Sequence, residues 1–330
     1  MMAELSNQLM ALTVLAYLVA MICSAAEYAF GSRSHIGRAA QRPAEQLVGA
    51  GAPVPVDPAP ADLPSVVEEK PKRDRAELFG RIGVGVTWLA FALHLGTVVT
   101  RGVAAERMPW GNMYEFVLTV CLVGAAVWLG VLTRWPGIRH LSLFATLALV
   151  VLLGGTGLIA YTPVGPLVPA LNSYWFIIHV STIIVASGIL LVAAVPAAMF
   201  LVRTGYDQGK RRFPYTLGAK VPAAASLERL SFRLTSFGFP LFTFGALIAG
   251  PIWAEASWGR YWNWDPKEVW AFISFIVYAA YLHARATPSI KRTTATWIAI
   301  AGFVTMLMNL FGVNLFASSS LHSYANAMGL

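Results

Sequence analysis

The chain has 330 residues, 57% of them hydrophobic and 12% charged, with a mean hydropathy of +0.62. That leaves too little charge to cover the surface of a soluble domain. The net charge of +8 and pI of about 9.7 would suit nucleic acid, but the basic residues cluster between apolar segments, so a membrane-spanning protein in contact with lipid is expected and no nucleic-acid partner.

In chain order, apolar windows long enough to cross the hydrocarbon core as helix fall near 8–30, 78–100, 115–133, 141–161, 175–202, 234–254, 267–284 and 294–316. The spacing predicts an all-α, polytopic integral membrane helix bundle of eight transmembrane helices. The first window lacks a basic leader and a small-residue cleavage site, so it is expected to be a retained first span over 1–30. Residues 31–77 follow as a Pro- and Ala-rich stretch without apolar period, predicted to be a flexible cytoplasmic linker. The remaining spans, 78–330, form the second predicted unit.

Placing 31–77 in the cytoplasm puts 134–140, 203–233 and 285–292 there too, and these segments with Arg81 hold 20 of the 24 lysines and arginines. Arg101, Arg107, Arg260 and Lys267 remain outside, and both termini are predicted extracytoplasmic. Cys23 and Cys121 both lie in apolar stretches, which excludes a disulfide framework or a CxxC thiol pair.

Two helix starts are legible. Asp265-Pro266-Lys267-Glu268 combines an N-cap acid, a proline in the first turn and a glutamate three residues on, and Asn112-Met113-Tyr114-Glu115 resembles it. The histidines sort by depth. His35 and His140 fall in loops and are expected to be surface residues. His179 lies about one turn inside one end of its span, and His322 lies a few residues beyond the last span on the same side. His283 comes 18 residues after Asp265, about 27 Å lower along a helix. His94 lies in the outer half of the second span, with no role assigned.

Between the sixth and seventh spans, within a loop placed at 253–268, stands "WGRYWNWDPKE" (258–268). Trp253, Trp258, Tyr261, Trp262, Trp264 and Trp270 all fall within 18 residues. An interfacial aromatic belt explains one or two tryptophans per helix end; this density suits the face of a flat, polarizable ligand such as a porphyrin. Trp258 and Trp262, four apart, would share a face if the segment is helical. Two neutral imidazoles can occupy opposite axial positions of a haem iron, and one of Arg101, Arg107 and Arg260 would pair with a propionate.

"WGRYWNWD" resembles the tryptophan-rich WWD motif of haem-handling membrane proteins. Together with "PWGNMYEF" (109–116), "NSYWFIIHV" (172–180), "YLHAR" (281–285) and "GVNLFASSSLHSY" (312–324), it makes residues 78–330 similar to the CcsA/ResC family of system II cytochrome c biogenesis, called CcsB in some bacteria. The resemblance implies a holocytochrome c synthase subunit in a bacterial plasma membrane, with its active site on the extracytoplasmic side. A Ccs1/ResB-like membrane protein would be its partner, haem b its bound ligand and substrate, and an apocytochrome c with a CxxCH segment its protein substrate. His179 and His322 match the family's external haem-iron ligands, Trp258, Gly259, Trp262, Trp264 and Asp265 its haem-binding motif, and His283 its inner haem ligand. Three alternatives remain: a haem exporter or delivery protein of the CcmC type without synthase activity, a small-solute secondary transporter, and a purely structural subunit of a respiratory complex.

Overall fold

Long apolar segments in lipid must satisfy their backbone internally, and among the described residues they do so as helices. The structure, a computed structural model, describes residues 1–31, 75–317 and 320–322. Most of the predicted 31–77 linker, and His35, lie outside the described residues.

Among the described residues, eight segments are long and apolar enough to span a membrane. In chain order the helices are α1 (Met2–Phe30), α2 (Arg75–Ala105), α3 (Met113–Arg134), α4 (Ser142–Ile159), α5 (Tyr174–Asp207), α6 (Ala224–Phe244), α7 (Gly250–Trp258), α8 (Pro266–Ala286), α9 (Arg292–Leu307) and the short α10 (Val313–Phe316). A 3-10 segment, Pro136–Leu141, leads into α4 as part of one span. α6 and α7 are one span of 35 residues, Ala224–Trp258, joined through a wide π-turn at Gly245–Ala249. A second π-turn, Met308–Gly312, ends the eighth span. The sixth span is therefore much longer than the apolar window 234–254, because α6 begins amphipathically inside the basic stretch 203–233.

α3 and α5 are buried over most of their apolar length and form the centre, whereas α8 shows most of its surface. α1 packs along α2, α6 along α5, and α9 along α8. Around α3, Leu118, Cys121 and Ala125 pack against Tyr17 of α1 and Leu153 of α4. Exposed leucines and isoleucines such as Leu12, Leu15 and Ile22 of α1 face outward, as expected in lipid.

Buried charges fasten the two ends of the bundle. At one end Glu115 accepts from Arg101 Nε (3.1 Å), Arg107 Nη1 (2.7 Å) and the Gly111 N–H (2.9 Å). Arg101 also bonds the Thr162 carbonyl, and Arg107 Nη2 that of Gly165 (3.1 Å). Asn112 caps α3 by accepting from the Glu115 N–H at 2.9 Å, while the Glu115 side chain is drawn to the arginines instead of back to the cap. At the other end Glu27 pairs with Arg139, and Glu228 with Arg285. His140 is buried there, not on the surface: its Nδ1 donates to the Lys220 carbonyl at 2.8 Å, and its ring meets Tyr28 edge-on. His94 is fully buried between Tyr17 and the Leu118 carbonyl (3.0 Å), so both ring nitrogens are used within the bundle.

Candidate functional site

At the end of the bundle where α5 begins and α7 stops, a cavity opens among α3, α5, the π-turn region, α8 and the last described residues. About 1160 Å³ of space lies between its atoms, open mouth included. Its walls are mostly apolar and aromatic, with Trp110, Phe176, Trp253, Trp258 and Trp262 among them, and His179 and His322 both face it.

The chain positions His179 through an interrupted helix. Pro251 has no N–H to give to the preceding turn, and at Gly245–Ala249 the backbone widens into a π-turn, a feature often found at functional sites. The Gly245 carbonyl there accepts both the Gly250 N–H and His179 Nδ1 (2.8 Å). A carbonyl only accepts, so Nδ1 carries the proton and Nε2 of the neutral ring carries the lone pair, the arrangement used by metal-ligating imidazoles. A side chain at position 250 would crowd the ring: a Cβ there would lie 3.1 Å from His179 Nδ1 and Cε1.

Trp253 touches both histidines. Its indole is almost fully buried and its Nε1 donates to the Ala170 carbonyl at 3.1 Å, which Ser257 Oγ also reaches at 3.0 Å. His179 stacks on it with centroids 5.5 Å apart and planes 12° apart, and His322 meets it edge-on at 5.6 Å. The two imidazole centroids therefore lie no more than about 11 Å apart. Trp258 closes the cluster, 4.8 Å from Trp253 and 5.2 Å from His322.

His322 is held by Asp265. Its Nδ1 lies 3.0 Å from Asp265 Oδ1, which also accepts from Ser320 Oγ (2.9 Å) and the Lys267 N–H (3.0 Å), while Oδ2 accepts the Leu321 N–H at 2.6 Å. Burial alone would raise this carboxyl's pKa, but the hydrogen bond and charge of His322 and the two backbone N–H groups outweigh it and hold the pKa well below the usual carboxylate range. Glu268 Oε2 completes the capping box, accepting the N–H of Asp265 (3.0 Å) and of Asn263 (2.8 Å). One carboxylate thus starts α8 and anchors a histidine 57 residues further on.

The remaining motif residues are placed differently. α7 ends at Trp258 with Gly259 in the left-handed region (φ 70°), so Trp258 and Trp262 do not share a helical face; they reach the same cavity from separate pieces of backbone. A residue with a Cβ would be strained at position 259. Trp264 is 68% exposed, sits outside the lining and rests edge-on against Trp262 at 5.8 Å. His283 lies in the last turn of α8, exposed and distant from the cavity. Arg101 and Arg107 are committed to Glu115, and Arg260 is exposed and does not line the cavity.

Trp253 and the pair Gly245 and Gly250 were not singled out as site residues by sequence reasoning. Trp253 stood out only as one of six clustered aromatics, and neither glycine carries any motif signal. Among the described residues no three histidine, cysteine or acidic side chains gather to hold a bare metal ion. Two imidazole lone pairs beside an aromatic cavity suit a metal that brings its own equatorial ligands, as a porphyrin iron does.

Residues 110–321 match the family described as "Cytochrome C assembly protein". Among curated proteins, the "Cytochrome c biogenesis protein CcsA" of Gloeobacter violaceus is 31% identical over 299 residues, covering 76% of this chain and 88% of its own length. The protein of that name from Guillardia theta is 35% identical over 266 residues, covering 74% and 85%. Among solved structures, "Cytochrome c Heme Lyase CcmF" aligns with a TM-score of 0.61 at 16% identity. The match spans all of this chain but half the length of that protein, and shows a shared fold.

Proposed function

The chain belongs to the cytochrome c assembly family as a CcsA-type biogenesis protein, and on that premise we propose that it is the haem-binding subunit of a cytochrome c synthase. Haem b is its substrate, held at the aromatic cavity by His179 and His322 on the extracytoplasmic face of a bacterial plasma membrane, with both termini on that side. One observation carries the reading: two imidazoles 143 residues apart in sequence meet on a single buried indole, Trp253, beside one apolar cavity.

In this reading each residue has a physical task. The Gly245 carbonyl and the Asp265 carboxylate fix the two ring tautomers with Nε2 as the ligating nitrogen. Trp253, Trp258 and Trp262 supply the apolar face, Gly259 ends α7 so that the loop can fold over it, and Trp264 supports Trp262 from outside. Thioether formation adds each S–H of a CxxCH segment across a haem vinyl group, sulfur to one carbon and hydrogen to the other. The sulfurs belong to the apocytochrome, so the chain needs no nucleophile of its own. Its contribution is to hold the ring still, turning an encounter into a positioned reaction.

His283, exposed near the other end of α8, would receive haem on the cytoplasmic side at a site completed by a ResB-type partner. The 31–77 linker joins the first span to the haem-handling unit, 78–330. The test is co-expression of the chain and such a partner in a host without its own maturation machinery. Covalent haem on an apocytochrome is the expected result. Bound haem without attachment would leave a delivery protein instead.

A further inference from the structure

Two hydrogen-bond donors in the cavity find no acceptor among the described residues. Trp262 Nε1 is buried without a partner although the indole lines the cavity, and an unmet buried donor is costly. Lys267, at the start of α8, is the one lysine or arginine among the lining residues. Among the described residues no carboxylate lies within ion-pairing distance of its Nζ. The acids beside it are occupied: Asp265 takes four donors, and Glu268 Oε2 takes two backbone N–H groups. Nor do the other cations at this end serve, since Arg101 and Arg107 hold Glu115 and the exposed Arg260 is not among the lining residues.

A cation and a neutral N–H, both without acceptors at the edge of an apolar cavity, match a ligand that carries a carboxylate on an otherwise apolar body. We propose that Lys267 and the Trp262 indole N–H form the carboxylate anchor of this cavity and bind a propionate of the porphyrin. The inference rests on the porphyrin reading above and deepens it. Trp262 then acts through its N–H as well as its face. Lys267 is a positioning residue: with the propionate edge held at the start of α8, the vinyl edge of the ring is turned away from it, and the orientation of the reacting carbons is set before any thiol arrives.

The test compares haem b with its dimethyl ester, which keeps the iron, ring and vinyl groups and removes the carboxylate charge. The full chain, purified with its partner, is titrated with each and followed by the Soret band. The wild type is expected to prefer haem b by roughly ten- to hundredfold. Lys267→Met should lose that preference while binding the ester as the wild type does, Lys267→Arg should keep it, and Trp262→Phe should lose part of it. If Lys267→Met fails to fold, Lys267→Gln replaces it with the same expectation. Equal wild-type affinities for the two porphyrins, or an undiminished preference in both Lys267→Met and Lys267→Gln, would overturn the anchor and leave the histidine site standing. No Soret band with either porphyrin would remove the porphyrin reading and the anchor together.

Discussion

The imidazole of His322 hangs from the carboxylate of Asp265, Nδ1 to Oδ1 at 3.0 Å, and that same oxygen caps α8 through the Lys267 N–H. Position of the ring and start of the helix therefore depend on one side chain.

Asp265→Asn separates the two tasks, since asparagine caps helices about as well as aspartate but its amide cannot stabilise an Nδ1 proton as a carboxylate does. The variant should fold, bind haem several-fold more weakly and show an altered axial-ligand spectrum. Stability has a sign as well. Because the folded pKa lies below the unfolded one, the Asp265 contribution is fully present above about pH 4 and drains away as the pH falls below it. Thermal melts of the wild type should lose stability below about pH 4 more steeply than those of Asp265→Asn.

Gly250 leaves the space in which His179 sits. Gly250→Ala should press on the His179 ring and on the Gly245 carbonyl 3.3 Å away, and Gly250→Val more so, at roughly 1–3 kcal/mol. Haem occupancy after purification should fall in that order, and equal occupancy in all three proteins would separate the glycine from ring placement.

The WWD segment contains two tryptophans that differ in place. Trp262 lines the cavity and Trp264 is mainly exposed. Trp262→Ala should lower co-purifying haem markedly, whereas Trp264→Ala should act only through lost support and change it by about twofold at most. Reversed effects would argue that the loop meets its ligand on the other side.

Glu115 lies fully buried between Arg101 and Arg107. Glu115→Ala strands two guanidinium groups and should destabilise by about 3–5 kcal/mol, read as a large drop in the melting temperature of the detergent-solubilised protein.

Much of this arrangement was legible in the sequence because lipid imposes a simple rule on apolar length. The eight spans overlap the windows that hydropathy marks, though the sixth starts ten residues earlier, at Ala224, and the Asp265 capping box follows from its four residues. What stayed hidden depends on contacts between distant residues. Asp265 reads as a helix cap, and nothing local says that it also reaches Ser320, Leu321 and His322. His140 reads as a loop residue, yet the Lys220 carbonyl and Tyr28 bury it. Trp253 reads as one more interfacial indole until Ala170 and the two imidazoles fix it in place. The π-turn at Gly245–Ala249 has no motif, only glycines and a proline whose effect depends on the helix around them.

The central claim is that His179 and His322 ligate one iron. It is tested most directly by the absorption spectrum of the chain purified with its partner, wild type beside His179→Gly and His322→Gly. The expected result is a low-spin bis-imidazole haem spectrum in the wild type, lost or shifted in each variant and restored in each by added imidazole. A wild-type spectrum persisting unchanged in either variant would contradict it.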